Sequence, residues 1–216
     1  MMYSALGDSI TFGENASNMA KAYPHLTASS LQSDSNKAHV FVLARPGWSS
    51  DDLLDAVKWN GSPMISQSAV VSVWIGGVDL INTALQSLNT SQQLDLNRMM
   101  SDYSRNLSAI LTFIKKESCA KVICCTQYNP FPNSPLAVEG INRLNRMTSE
   151  VAHRCRVAIA PVHTWFEGKQ AELIYGYHKG KIEDAASGSL PIHPNDRGHR
   201  VIATGLVRHI IPRKPV

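Results

Sequence analysis

The chain has 216 residues, 44% of them hydrophobic and 18% charged, and a formal net charge of +4. That length supports one well-buried core and is short for two typical domains, so a single domain spanning 1–216 is expected. No apolar run approaches the roughly 20 residues that cross a bilayer, which excludes a membrane-spanning helix.

The start, MMYSAL, has neither a basic segment nor the apolar run of about 7–15 residues of a secretory leader. The expectation is a cytoplasmic protein. The cysteines agree: Cys124 and Cys125 sit within an apolar run, Cys119 and Cys155 beside others, and no zinc spacing occurs. Buried free thiols are expected. From Ile141 onward 12 Lys/Arg stand against 6 Asp/Glu, and before it 9 against 11. A basic third can attract an anionic substrate, but the charges are interspersed and no RNP, zinc-finger or P-loop pattern accompanies them. They read as solvated surface, and no nucleic-acid partner is expected.

Short apolar runs rich in Val and Ile alternate with segments of helical period, the pattern of an α/β domain with a parallel sheet. Strands are predicted at 2–6, 39–44, 69–75, 121–126 and 156–160. Their hydrophobicity is continuous, as expected where helices cover both faces of a sheet. Between them, 96–116 carries Leu96, Met99, Met100, Tyr103, Leu107, Ile110, Leu111 and Ile114 on one face. A second helix is predicted over 137–153, and a last one after Pro194 with Val201, Ile202, Leu206, Val207 and Ile210 in phase. These stripes read as core.

In such a sheet, ligands bind beyond the carboxyl ends of the strands. Gly7-Asp8-Ser9 follows the first strand, and Ser9 reads either as a helix cap or as a nucleophile. It is not the GxSxG elbow of α/β-hydrolases. "ARPGWSSDDLL" follows the second strand. There Gly47 permits close backbone approach, and Ser49 or Ser50 can cap the next helix with Asp51 and Asp52 in its first turn. "WIGGVDLIN" follows the third, with Asp79 a plausible cap. Near the end, "PIHPNDRGHRVIA" places His193 before a proline, which keeps it extended and out of the following helix.

Together these segments resemble the blocks of the SGNH (GDSL) hydrolase family: GDSIT, a glycine after strand two, GGVD after strand three and HPNxxGH near the end, from Gly7 to about Ala203. The run YNPFP at 128–132 is similar to members of this family as well. The resemblance implies a flavodoxin-like three-layer α/β/α sandwich with a five-stranded parallel sheet. It also implies hydrolysis of esters or thioesters through an acyl-enzyme, with no cofactor and no metal, on a small-molecule ester. In it Ser9 is the nucleophile and lends its N–H to an oxyanion hole. Gly47 lends a second N–H, and His193 is the general base. Asp8, Gly77, Val78 and Asn129 are candidate substrate-lining residues. A serine hydroxyl needs a base at hydrogen-bond distance, and the oxyanion needs preorganised donors.

Two positions depart from the family pattern. The third block is usually GxND, whose Asn donates to the oxyanion; Val78 stands in its place and cannot donate. Asn82 or Asn129 is a candidate substitute. The last block is usually DxxH, and Leu190 stands where its Asp would be. A Ser–His dyad with the imidazole oriented by a backbone carbonyl is expected; the alternative is an acid from the preceding loop, such as Glu183 or Asp184, and Asp196 is assigned to its own helix's dipole. The loop 175–192 leads into His193 and is expected to border the substrate. The departures leave two alternatives: a weakly active or inactive binding module on the same fold, and an acyltransferase using the same pair. The sequence assigns no oligomeric state.

Overall fold

The computed structural model describes residues 1–32, 37–90, 95–187 and 190–211. Strands β1 (Met2–Gly7), β2 (His39–Ala44), β3 (Val70–Trp74), β4 (Lys121–Cys125) and β5 (Ala158–Ala160) form one sheet in the order β2-β1-β3-β4-β5. Every pairing is parallel. This is the flavodoxin-like order the resemblance implies. The helices are α1 (Ser9–Phe12), α2 (Tyr23–Ser30), α3 (Ser50–Ala56), α4 (Ser62–Ser66), α5 (Gly77–Thr90), α6 (Leu96–Glu117), α7 (Pro135–Arg154), α8 (Val162–Phe166), α9 (Gln170–Leu173) and α10 (Asp196–Ile210).

Strand side chains alternate between two cores, which makes three layers. Tyr3, Ala5, Val70, Trp74, Ile123 and Cys125 pack with α2, α8, α9 and α10. Leu6, Val71, Val73, Val122 and Cys124 pack with α3, α4, α6 and α7. The predicted stripe of α6 is buried from Leu96 to Ile114.

Three expectations need correction. The fifth strand begins at Ala158 rather than Arg156, because the end of α7 runs on into its cap. Arg156 adopts φ 54°. Its N–H bonds His153 O at 3.0 Å, while Val157 N–H bonds Ala152 O at 2.8 Å. This double bond to the last turn usually takes glycine at the left-handed position, so a sequence pattern does not announce it. The thiols are all free, but only Cys124 and Cys125 are buried; Cys155 is half-buried and Cys119 exposed. Asp79 does not cap its own helix. Its carboxylate crosses to the start of α3, taking the Ser50 N–H at 3.0 Å and the Ser50 hydroxyl at 2.6 Å.

Close backbone approach fixes where β1 ends. A Cβ on Gly7 would lie 2.2 Å from Trp74 O and 2.4 Å from Thr11 Oγ1. Gly7→Ala therefore forces β1 and β3 apart at their carboxyl ends. It is expected to destabilise the protein by at least about 1–3 kcal/mol, the usual cost of overpacking, read as a lower urea midpoint.

Candidate active site

β2 lies on one side of β1 and β3 on the other, so the strand order reverses at the end of β1. That reversal opens the crevice where ligands bind in sheets of this kind. Asp8 and Ser9 stand there. The cap of α1 is Asp8, whose Oδ1 accepts the Ile10 N–H at 3.0 Å, and Ser9 is the first helical residue. The sequence left Ser9 either as a cap or as a nucleophile; the capping role belongs to its neighbour.

His193 reaches this point from the far end of the chain. Its Nε2 lies 2.9 Å from Ser9 Oγ. The segment carrying it is stapled on both sides. Tyr175 N–H bonds His193 O at 2.9 Å, Asn195 N–H bonds Leu173 O at 2.9 Å, and Ile174 forms an antiparallel bridge with Pro194. Tyr128 donates its hydroxyl to Ile192 O. The Tyr128 ring stacks on Phe166 at 4.2 Å and meets Trp74 edge-on at 6.0 Å. Thus the YNPFP run contributes an aromatic post under the histidine. Asn195 then starts α10, accepting from the Arg197 and Gly198 N–H groups. Proline has kept His193 outside that helix.

The acids named as reachable partners are elsewhere. Asp196 takes Lys21 Nζ at 2.8 Å, and also the N–H and hydroxyl of Ser17, which hold its carboxyl well below the usual range. Asp184 accepts the N–H groups of Lys179 and Lys181. Glu183 is exposed in a short 3-10 turn, and Leu190 is exposed too. The acid on the imidazole is Glu14, with Oε2 3.0 Å from Nε2. Glu14 is the last residue of GDSITFGE and was missed. What carries it back over Ser9 is backbone geometry: Gly13 at φ 102° and Asn15 at φ 63°, with both the Gly13 and Glu14 N–H groups on Ser9 O. The signal was Gly13 at the end of a one-turn helix.

His199, the second histidine of HPNxxGH, is fully buried. Its Nδ1 accepts the Tyr23 N–H at 3.3 Å, so the ring proton is on Nε2, which donates to Glu14 O at 3.2 Å. Burial lowers its pKa to about 4, which keeps it neutral. It secures the Glu14 turn.

Gly47 is the third residue of a turn closed by Trp48 N–H on Arg45 O at 3.2 Å, with φ 83° after Pro46. This is the position where a type II turn requires glycine. Ser49 and Asp52 then form a capping box on α3. A Cβ on Gly77 would lie 3.4 Å from Gln127 Nε2 and 3.8 Å from Asp8 Oδ2. Gln127 was also missed. Its Oε1 accepts the Trp74 indole N–H at 2.6 Å, which leaves the NH2 end toward Gly77. Val78 is half-buried in the first turn of α5. Asn129 spends its side-chain oxygen on the Phe131 N–H, and Asn82 is exposed. The loop after Tyr175 is tied to His193 at its start by the Tyr175 N–H on His193 O, and Gly188 and Ser189 lie outside the described residues. A cavity of about 1090 Å³ opens elsewhere, between α8, α9 and α10, and its lining includes neither Ser9 nor His193. Among the described residues no cluster fit to hold a metal ion occurs, and no helix is long and apolar enough to cross a membrane.

A parallel sheet with a serine and a histidine in contact beyond its carboxyl edge is an arrangement suited to ester hydrolysis. The chain belongs to the GDSL-like lipase/acylhydrolase family, which it matches over residues 5–201, and is with it an ester-hydrolysing enzyme. It is 23% identical to the spore germination lipase LipC of Bacillus licheniformis, over 95% of this chain and 94% of that protein. The lipase Lip_vut3 from a goat rumen metagenome superposes with a TM-score of 0.80 at 20% identity, over 97% of both chains. Axe2, an acetylxylan esterase from Geobacillus stearothermophilus, gives 0.72 at 19% identity, over 97% of this chain and 93% of its own.

Asp8 supplies a pH-dependent prediction. Burial raises its carboxyl from 3.8 to about 7, against the Ile10 N–H, with Asp79 and Glu14 adding repulsion. From about pH 4 to 7 the folded protein keeps a proton that the unfolded chain releases, so this group makes stability fall as pH rises. Asp8→Asn keeps a good cap and removes the titration. The difference in unfolding free energy between variant and wild type should move in the variant's favour across that window, as followed by urea unfolding at several pH values.

Proposed function

We propose that the protein hydrolyses carboxylic esters or thioesters through an acyl-enzyme on Ser9, with His193 as base. The observation that carries this reading is the 2.9 Å contact between His193 Nε2 and Ser9 Oγ, residues 184 apart in sequence, at the strand-order reversal. Burial holds the imidazole below its ordinary pKa of 6.5, against the pull of Glu14, so it is a neutral base at pH 7.

Ser9 Oγ attacks the acyl carbon as its proton passes to Nε2. The carbonyl oxygen takes the negative charge, and the N–H groups of Ser9 and Gly47 receive it. Ser9 is the first residue of α1, so its N–H has no intrahelical acceptor. The imidazolium then gives its proton to the leaving alcohol or thiol, and the acyl–Ser9 ester remains. A water, deprotonated by Nε2, attacks that ester and releases the acid and Ser9. No acid is assigned to Nδ1, because Glu183, Asp184 and Asp196 are all engaged or placed elsewhere. The acetylxylan esterases the chain superposes on make a small acyl group the first substrate class, with acetyl the first acyl group to try.

Ser9→Ala should abolish turnover of p-nitrophenyl acetate and labelling by a fluorophosphonate, with circular dichroism unchanged. Retained turnover would overturn the reading. His193→Ala should lose nearly as much, and the double variant should be little worse than either, since residues that act as a unit are non-additive.

Val78 tests the oxyanion hole. Val78→Asn restores the amide that the family pattern carries, beside two glycines. If only two N–H groups hold the oxyanion, kcat should rise by up to about 10²-fold with KM little changed. An unchanged rate in a folded variant would assign the third donor to another group, with Gln127 the amide at this block.

A further inference from the structure

Two groups compete for one nitrogen. Ser9 Oγ at 2.9 Å and Glu14 Oε2 at 3.0 Å both contact His193 Nε2. An acid that orients a catalytic histidine ordinarily acts on the opposite ring nitrogen, where it never meets the serine proton. Here the carboxylate stands on the serine's side. A ring nitrogen carries either a proton or a lone pair. With a lone pair, Nε2 accepts the Ser9 O–H, and Glu14 faces that lone pair with no proton between. With a proton, Nε2 is held by the charge of the carboxylate beside it and can no longer take the proton of Ser9.

We propose that Glu14 is a positioning residue for the reaction: its carboxylate favours the proton on His193 Nε2, stabilising the imidazolium that forms as Ser9 attacks and raising the pH at which the free enzyme becomes active. This rests on the Ser9–His193 reading above. No atom is added to that reaction. The proton leaves Oγ and arrives on the nitrogen beside Glu14, then passes to the leaving group. The carboxylate supplies the charge that an Asp at the Leu190 position would supply from the other side. The cost is that the same charge holds a proton on the base at lower pH.

The turn is built to keep Glu14 there. Its N–H is on Ser9 O and its carbonyl accepts from His199 Nε2, so the backbone is fixed at both ends while the side chain reaches His193. Those bonds are main-chain bonds on the Glu14 side, so replacing the side chain leaves them in place. The titratable groups around the imidazole are Glu14 from the turn, Asp8 from the end of β1, Tyr128 from beyond β4, and His199 and the Lys21-paired Asp196 from α10. Of these, Glu14 alone touches the ring through its side chain.

Glu14→Gln keeps length and hydrogen-bonding capacity and removes the charge. The test measures kcat/KM for p-nitrophenyl acetate against pH, and the His193 ring titration by NMR in the resting protein. Both midpoints should fall by about one pH unit or more, the effect of losing an opposite charge at contact distance, and the plateau kcat should fall with the weakened base. Asp8 titrates nearby, so the comparison is repeated with Asp8→Asn in both proteins. A purely structural role would lower the plateau and leave both midpoints in place, which would overturn the proposal. A ring midpoint that falls while the activity midpoint stays would overturn it too. In that case an active Ser9→Ala would place the fault in the Ser9–His193 reading, and an inactive one would place it in the role given to Glu14.

Discussion

The carboxyl end of the sheet depends on delivering an imidazole from residue 193 to the first residue of α1. The chain solves this with a segment that is neither strand nor helix. Pro194 keeps His193 extended, and Asn195 takes over the N–H groups that start α10. Extended backbone without a sheet needs partners, and the segment finds them on Leu173 and Tyr175. The ring of Tyr128 supports the segment from below, because its hydroxyl is bound to Ile192 O while its face lies on Phe166. The placement of one side chain therefore draws on β3, β4, α8, α9 and α10.

A second set of bonds links the neighbouring loops. Asp79, from the block after β3, holds the Ser50 N–H and hydroxyl at the start of α3, and Asn106 of α6 also bonds that hydroxyl at 3.1 Å. The loop between β2 and α3 contains Gly47, so the acid of the third block helps to fix the glycine of the second. This gives Asp79 a structural reason that does not involve substrate. Its carboxyl is raised by burial, and the two bonds from Ser50 oppose that rise.

The central strands β1, β3 and β4 were legible in the sequence because they are buried on both faces and read as short continuous apolar runs, whereas β2 and β5 at the edges are only partly buried. The long helices were legible through their stripes. The cap of α3 was readable from residue type only as Ser49 or Ser50; the structure assigns it to Ser49 in a capping box with Asp52. Gly13 signalled the end of α1, but the approach of Glu14 to His193 was not readable, because it also depends on left-handed backbone at Asn15 and on His199, 185 positions away. Gln127 was hidden for a similar reason: its orientation is set by the Trp74 indole, a partner on another strand. Short-range pattern finds elements and caps; partners brought together only by the fold have no local signature.

The charges at the site run against those of the chain. A protein of net charge +4 gathers Asp8, Glu14 and Asp79 close enough to act on one another's charge, around the serine proposed as nucleophile. Its lysine and arginines at 169, 197, 200 and 208 line the separate cavity instead. Carboxylates close to an oxyanion would oppose the reaction, and the structure deals with each differently. Asp79 is turned toward Ser50. Asp8 holds its proton up to about pH 7 because burial disfavours the charged form. Glu14 is set against His193, the group that becomes cationic in the proposed mechanism, so there its charge opposes one partner of the developing ion pair and favours the other. On the proposed mechanism, the charge that Leu190 cannot supply comes instead from Glu14, on the Nε2 side of His193.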